Sequence, residues 1–196
     1  MKNYMQWIVL SFTSFLAMGC TLIPEHVSLN PSVYQGGAEN IGHGQVVALN
    51  VIDGRSQKSV GNRPSGFGPM ASVSLGNDPA QAIYAAVSNG LNARGFKTVS
   101  YLIEQHAPKL LTITLRQLGY EQKASVMSLS VLVHTSIGAD AEHNHLHYQK
   151  VYRAEQTNNY LIVPMTVQDE TLINKVLSDN INRMFLDKNL MAFLAK

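Results

Sequence analysis

The sequence predicts an α+β domain. The expected architecture is one antiparallel-rich sheet of about 4–5 strands with two helices on one face, in the order β-α-β-β-β-β-α. Two observations carry this. Segments with two-residue alternation of apolar and polar side chains recur from Leu111 to Tyr152, and two segments, 79–94 and 172–185, place apolar residues at three- and four-residue spacing. The bulk composition agrees: 45% hydrophobic and only 14% charged residues suit a sizeable core, and a net charge of +2 gives no nucleic-acid footprint and no acidic tail.

The amino-terminal segment is not part of that domain. Lys2 precedes an apolar stretch containing Trp7, Ile8, Val9, Leu10, Phe12, Phe15 and Leu16, and the run closes on Ala17-Met18-Gly19-Cys20. A positive start, a short apolar core and a small residue before the cut describe a secretory signal. At about 11 residues the apolar core is too short to span a bilayer, which needs roughly 20. A cysteine at the cut makes residues 1–19 resemble a bacterial lipoprotein signal, although Ala17 stands where leucine is usual. That resemblance implies cleavage before Cys20 and acylation of its thiol, palmitate included. Thr21 in the following position favours the outer membrane over the inner one. Cys20 is the sole cysteine, so no disulfide, thiol nucleophile or cysteine-based zinc site remains.

Residues 20–44 read as the lipidated cysteine and a flexible tether, with Pro24, Pro31, Gly36, Gly37, Gly42 and Gly44 among Asn and Ser. Random-coil statistics give such a leash a reach on the order of 25–30 Å. The single periplasmic domain is expected over 45–196. Val46–Ile52 is nearly continuous in apolar character and reads as a buried first strand ending at Asp53-Gly54-Arg55. Residues 54–77 hold five glycines and two prolines and read as a long polar loop. Asp78-Pro79 opens a helix, with Asp as cap and Pro at the first helical position. Ile83, Ala86, Val87, Gly90 and Leu91 share its apolar face, and Gly95 stops it.

Phe96–Tyr101 follows as a short strand, and Leu110–Leu115 as the next. The two strands after that form a long hairpin. A two-residue turn at Ala139-Asp140 sets Val133 opposite Leu146, Val131 opposite Tyr148 and Met127 opposite Tyr152, which gathers one mostly apolar face. Neither turn residue is glycine, which leaves a longer turn open. Leu172, Ile173, Val176, Leu177, Ile181, Met184 and Phe185 mark an amphipathic helix capped by Asp169 or Thr166, and Leu190 to Leu194 add a last apolar turn.

Candidate chemistry centres on histidine. His143, His145 and His147 alternate, and the register above sets His134 opposite His145, so the four share a polar face able to hold zinc or copper. Asp140 and Glu142 add oxygen donors nearby. The same face is otherwise a solvated, pH-responsive patch. Asp53 and Arg55 flank Gly54 on one side of the first strand and read as loop-shaping. No hydrolase elbow, Walker loop or dinucleotide fingerprint is present, and the cations lack an aromatic stacking platform for nucleic acid. No cofactor is expected.

Several segments together resemble the YajG family of outer-membrane lipoproteins from Gram-negative bacteria. They are the lipobox at Cys20, Val51-Ile52-Asp53-Gly54-Arg55, Leu91-Asn92-Ala93-Arg94-Gly95-Phe96, Leu111-Thr112-Ile113-Thr114-Leu115, and Val176-Leu177-Ser178-Asp179 through Met184, Leu190 and Phe193. The resemblance covers nearly all of the mature chain and implies a lipid-anchored protein on the periplasmic face of the outer membrane, in a family with no established enzyme activity or ligand. The His-rich hairpin lies outside it. The functional expectation is a non-enzymatic envelope protein held to the membrane by lipid on Cys20 and binding another envelope protein or the cell wall. The alternative is a periplasmic small-ligand or metal binder that uses the hairpin.

Overall fold

Alternating side chains run further along this chain than the short sequence segments suggest, and they build most of the molecule. The computed structural model describes residues 25–35, 39–65, 68–103, 108–125 and 127–196. Cys20 and the signal segment lie outside them. In chain order the elements are β1 (Glu25–Val27), β2 (Val46–Asp53), β3 (Gly61–Ser65), β4 (Gly68–Leu75), α1 (Pro79–Ala93), β5 (Lys97–Ser100), β6 (Lys109–Ala124), β7 (Leu129–His143), β8 (Leu146–Tyr160), α2 (Thr166–Phe185) and α3 (Lys188–Ala195).

This corrects the predicted architecture. Among the described residues the sheet has eight strands and is mixed, and three helices accompany it. β1·β4, β2·β5, β2·β6 and β3·β6 are parallel, whereas β3·β4, β6·β7 and β7·β8 are antiparallel. Two segments read as irregular account for the extra strands: β1 lies within the expected tether, and the expected loop at 54–77 contains the β3–β4 hairpin.

β6 organises the sheet. One of its edges pairs along its whole length with β7. The other edge serves two partners in turn. Leu110–Leu115 pair with Ala48–Asp53 of β2, and Tyr120 and Glu121 pair with Gly61 and Asn62 of β3. The sheet therefore forks there into a β2–β5 branch and a β3–β4–β1 branch. A bulge between Leu115 and Gln117 marks the fork. One extra residue resets the side-chain parity, so Leu111, Ile113 and Leu115 before it and Leu118 and Tyr120 after it all enter the same core.

α1 packs on β2 and β5, and α2 on β7 and β8. Asp78 Oδ1 accepts the Ala80 N–H with Pro79 at the first position, as the sequence predicts, and Gly95 takes the left-handed conformation that ends α1 (φ 81°). Ile83, Val87 and Leu91 of α1 meet Ile173, Leu177, Ile181 and Met184 of α2 in one fully buried core. Neither Asp169 nor Thr166 caps α2. Its N-cap is Met165, whose N–H donates to Gln168 Oε1, while Asp169 lies inside the first turn and is buried. The last apolar turn is α3, capped by Asp187, which accepts the N–H groups of Asn189 and Leu190.

The segment expected to swing freely is docked over Glu25–Tyr34. Past β1 it runs beside α2, and alternate backbone amides donate to every fourth helix side chain: Ser28 to Glu170 Oε2 (2.9 Å), Asn30 to Asn174 Oδ1 (2.6 Å), Ser32 to Ser178 Oγ (2.9 Å) and Tyr34 to Asn182 Oδ1 (2.9 Å). On its other side Asn77 exchanges two 2.8 Å hydrogen bonds with Leu29. Among the described residues the folded unit thus already includes Glu25–Tyr34, ahead of Gln45.

Two polar groups fasten these layers. Tyr120 donates to Asp169 Oδ2 at 3.0 Å inside the core, and Arg63 pairs with both Asp169 and Glu25 of β1. Burial pushes the Asp169 carboxyl up to about 6. At the α2–α3 junction Asp187 Oδ2 accepts from Tyr148, Tyr152 and Lys150 of β8 at 2.8, 2.8 and 2.6 Å. Burial works to raise its pKa, but the hydrogen bonds from Lys150, Tyr152 and Tyr148 outweigh it and hold the carboxyl well below the usual range.

Candidate functional site

The fork in the sheet opens a cleft. Between Leu115, the last residue paired with β2, and Tyr120, the first paired with β3, the β6 edge has no strand partner among the described residues. The β2–β3 connection arches beside this gap. Gly54 N–H donates to Leu115 O at 3.0 Å, and Val60 O accepts from Tyr120 N–H at 2.9 Å. Asp53 shapes the arch: it accepts from Arg55 Nε at 2.8 Å and Nη2 at 3.0 Å, and from Lys58 Nζ at 2.9 Å. The Arg55 hydrogen bond in particular holds the Asp53 carboxyl far below its ordinary value. These two residues therefore shape the loop, as their spacing suggests.

The resulting cavity measures about 640 Å³. Among the described residues Arg116, Lys123 and His134 line it with Asn62, Gln117 and a single carboxylate, Glu121. Two glycines make the room. A Cβ on Gly119 would lie 2.3 Å from the His134 ring, and one on Gly138 would lie 2.7 Å from Arg116 Nε. His134 also borders a second hollow of about 490 Å³, with Arg153, Glu155 and Arg183 around it. The open sheet face therefore presents a mostly cationic, amide-rich surface beside a stretch of β6 edge that pairs with no described strand. The break in alternation at Arg116-Gln117 and the glycine at 119 inside a strand are its sequence signals.

The four histidines do not assemble. The hairpin turns at Asn144-His145, not at Ala139-Asp140, and both residues have positive φ (48° and 64°) as a two-residue mirror-image turn requires. His134 consequently faces Glu155, and Val131 faces Asn158. His134 and His143 are nine residues apart on one strand, about 30 Å. His143 Nδ1 lies 2.9 Å from Pro108 O, His145 occupies the turn, and His147 stands opposite Glu142. What the hairpin does bring together is Asp140, Glu142 and His147, whose ligand atoms all lie within 4.8 Å of one another.

Catalytic geometry is sparse. Ser74 Oγ lies 2.9 Å from His26 Nδ1 on the exposed β1–β4 edge, and among the described contacts no carboxylate orients that imidazole.

Residues 31–195 match the model of a family described as uncharacterized lipoprotein. The chain belongs to this YajG-type lipoprotein family. Membership makes it a lipoprotein anchored to an envelope membrane, and among the described residues no helix is long and apolar enough to cross one. Protein XCC0632 from Xanthomonas campestris has a similar fold, with a TM-score of 0.59 at 6% identity over 88% of this chain and 97% of that one. Hypothetical protein CT253 from Chlamydia trachomatis matches with a TM-score of 0.43 at 11% identity, over 78% of this chain and 96% of its own. Lipoprotein GNA1162 from Neisseria meningitidis gives 0.33 at 10%, over 70% and 98%. Among curated proteins nothing matches the sequence.

Proposed function

We propose that this lipoprotein is a non-enzymatic binding module on the periplasmic face of the outer membrane, anchored through lipid on Cys20, and that the fork cleft holds another envelope component. The observation that carries this reading is the cleft itself. Among the described residues it combines an unpartnered stretch of β6 edge with Arg116, Lys123 and His134 against one carboxylate. Such a surface suits an extended, acidic, amide-bearing segment, which protein tails and cell-wall peptides both offer. A photo-reactive residue at Gln117 tests it in intact cells. An adduct with an envelope component that disappears in Arg116→Glu supports the reading, whereas turnover of a substrate by the purified lipoprotein without any adduct overturns it.

A second reading rests on Asp140, Glu142 and His147. A nitrogen and two carboxylates at that separation suit a divalent ion such as zinc after small side-chain movements. Zinc titration with and without His147→Ala checks it, and no binding in the micromolar range at neutral pH ends it.

A further inference from the structure

The two ends of the long sheet differ sharply in chemistry. At one end lies the Asn144-His145 turn with Asp140, Glu142 and His147. At the other lie the β6–β7 turn and the connection from β8 to α2, brought side by side by the pairing of Leu129 with Tyr160. This second end exposes Met127 (85%), Leu161 (89%), Ile162 (76%), Val163 (50%), Met165 (72%) and Val167 (73%). Cut at one level, which pairs Gln122 with Val131 and Val131 with Asn158, the sequence over 122–131 and 158–168 contains Lys123 and no carboxylate. Scattered exposed apolar residues are ordinary, but a cluster of this kind on adjacent loops marks a contact surface.

The chain path says what covers it. β1 is parallel to β4, β4 is antiparallel to β3, and β3 is parallel to β6. β1 therefore runs away from the end at which β6 finishes, so the chain enters the domain from the apolar end. The pairings place Glu25 level with Val73, Gly61, Tyr120, Val133 and Gln156. From that level the apolar end is four residues further along the strands, about 13 Å, and the Asn144-His145 turn is eleven residues the other way, about 36 Å. Cys20 is five residues before Glu25, so it lies within about 17 Å of it. Measured along the strands, a lipid on Cys20 thus comes level with the apolar end and falls well short of the turn.

We propose that the loops bearing Met127, Leu161, Ile162 and Met165 dip into the same bilayer surface that holds the lipid anchor, so that the domain stands on the membrane by this end. The inference rests on acylation of Cys20. Insertion of several apolar side chains between headgroups, with Lys123 near anionic phosphates and no carboxylate to repel them, is the chemistry of an interfacial contact. It also orients the molecule, with the histidine turn directed away from the membrane.

Trp7 is the sole tryptophan and lies in the leader, so one introduced indole reports depth cleanly. The full lipoprotein, purified from membranes, is reconstituted in phosphatidylethanolamine–phosphatidylglycerol vesicles with lipids brominated on the upper acyl chain. Ile162→Trp should be quenched at least about threefold more strongly than Leu146→Trp at the opposite end. Both sites are exposed, and unchanged melting temperatures show that both variants fold. Equal quenching, or a protein cross-link at position 162 without quenching, overturns the proposal. Mass spectrometry of the same sample reads the anchor separately. With lipid present and no quenching, the apolar contact fails and the anchor stands. With Cys20 unmodified, the anchor reading fails, and quenching of Ile162→Trp added to preformed vesicles still decides the contact.

Discussion

The two faces of β6, β7 and β8 are made from the same strands yet answer to different constraints. Toward the helices, Ile113, Leu118, Val131, Val133 and Ile137 are buried and interlock with α1 and α2. Away from them, Arg116, His134, Arg153 and Glu155 lie open, together with Asp140, Glu142 and His147. Stability resides on the first face, because removal of apolar area from water dominates folding. The second face is free to vary its charge, which is where a binding protein can be specific without risking its fold. The difference teaches that pleat alternation separates folding from recognition residue by residue along a single strand.

The covered face is tested most severely by Leu177→Ala, since Leu177 has no exposed surface. Truncation should cost roughly 2–5 kcal/mol, read as a lowered melting temperature. An unchanged melt would show that α2 is not core, and the contrast between the faces would collapse.

Asp169 sharpens the contrast through its pH dependence, because it is a charge on the wrong face. Burial raises its pKa to about 6, above the value near 3.8 expected when unfolded. Well below pH 3.8 the group is neutral in both states. Between pH 4 and 6 only the folded chain keeps the proton, so stability from this group falls as pH rises through that window, by up to about 3 kcal/mol. Asp169→Asn should flatten that slope in melts taken from pH 4 to 7, and an unaltered slope would assign it to another group.

At the margin of the core, Asn174→Ala removes two hydrogen bonds to the docked Glu25–Tyr34 strap, one from Asn30 N–H and one to Ser28 O. The expected loss is about 1–2 kcal/mol, with faster hydrogen exchange at Ser28, Asn30 and Ser32. On the open face, His147→Ala should change stability by less than about 0.5 kcal/mol in the same melts. A larger loss there would show that the open face also carries the fold.

Much of the covered face was legible. The stripes of α1 and α2 and the Asp78-Pro79 start are local patterns, and the structure keeps them. Long-range pairing was not. Arg116-Gln117 looks like the end of a strand because alternation stops, yet a bulge simply resets the parity and the strand runs on to Ala124. The hairpin register failed because Asn144-His145 carries no glycine, although asparagine accepts positive φ more readily than most residues. That shift moved His134 far from the other histidines. Within the supposed tether, Val27, Leu29, Pro31 and Val33 alternate with His26, Ser28, Asn30 and Ser32, a strand pattern masked by the prolines and glycines around it. The fork cleft had no short motif to find, since it arises where three strands meet.

The strap and α2 are two rulers with unequal graduations. Two extended residues advance about 6.7 Å, whereas four helical residues advance about 6.0 Å. Each rung therefore slips by about 0.7 Å, and three intervals from Ser28 to Tyr34 accumulate about 2 Å, near what side-chain reach absorbs. The vernier limits its own length, and α2 ends at Phe185, one residue short of where a fifth graduation would fall. It also makes phase matter more than composition. A single residue inserted after Ser28 would turn every later amide to the wrong side, while a pair would restore the match one mark along.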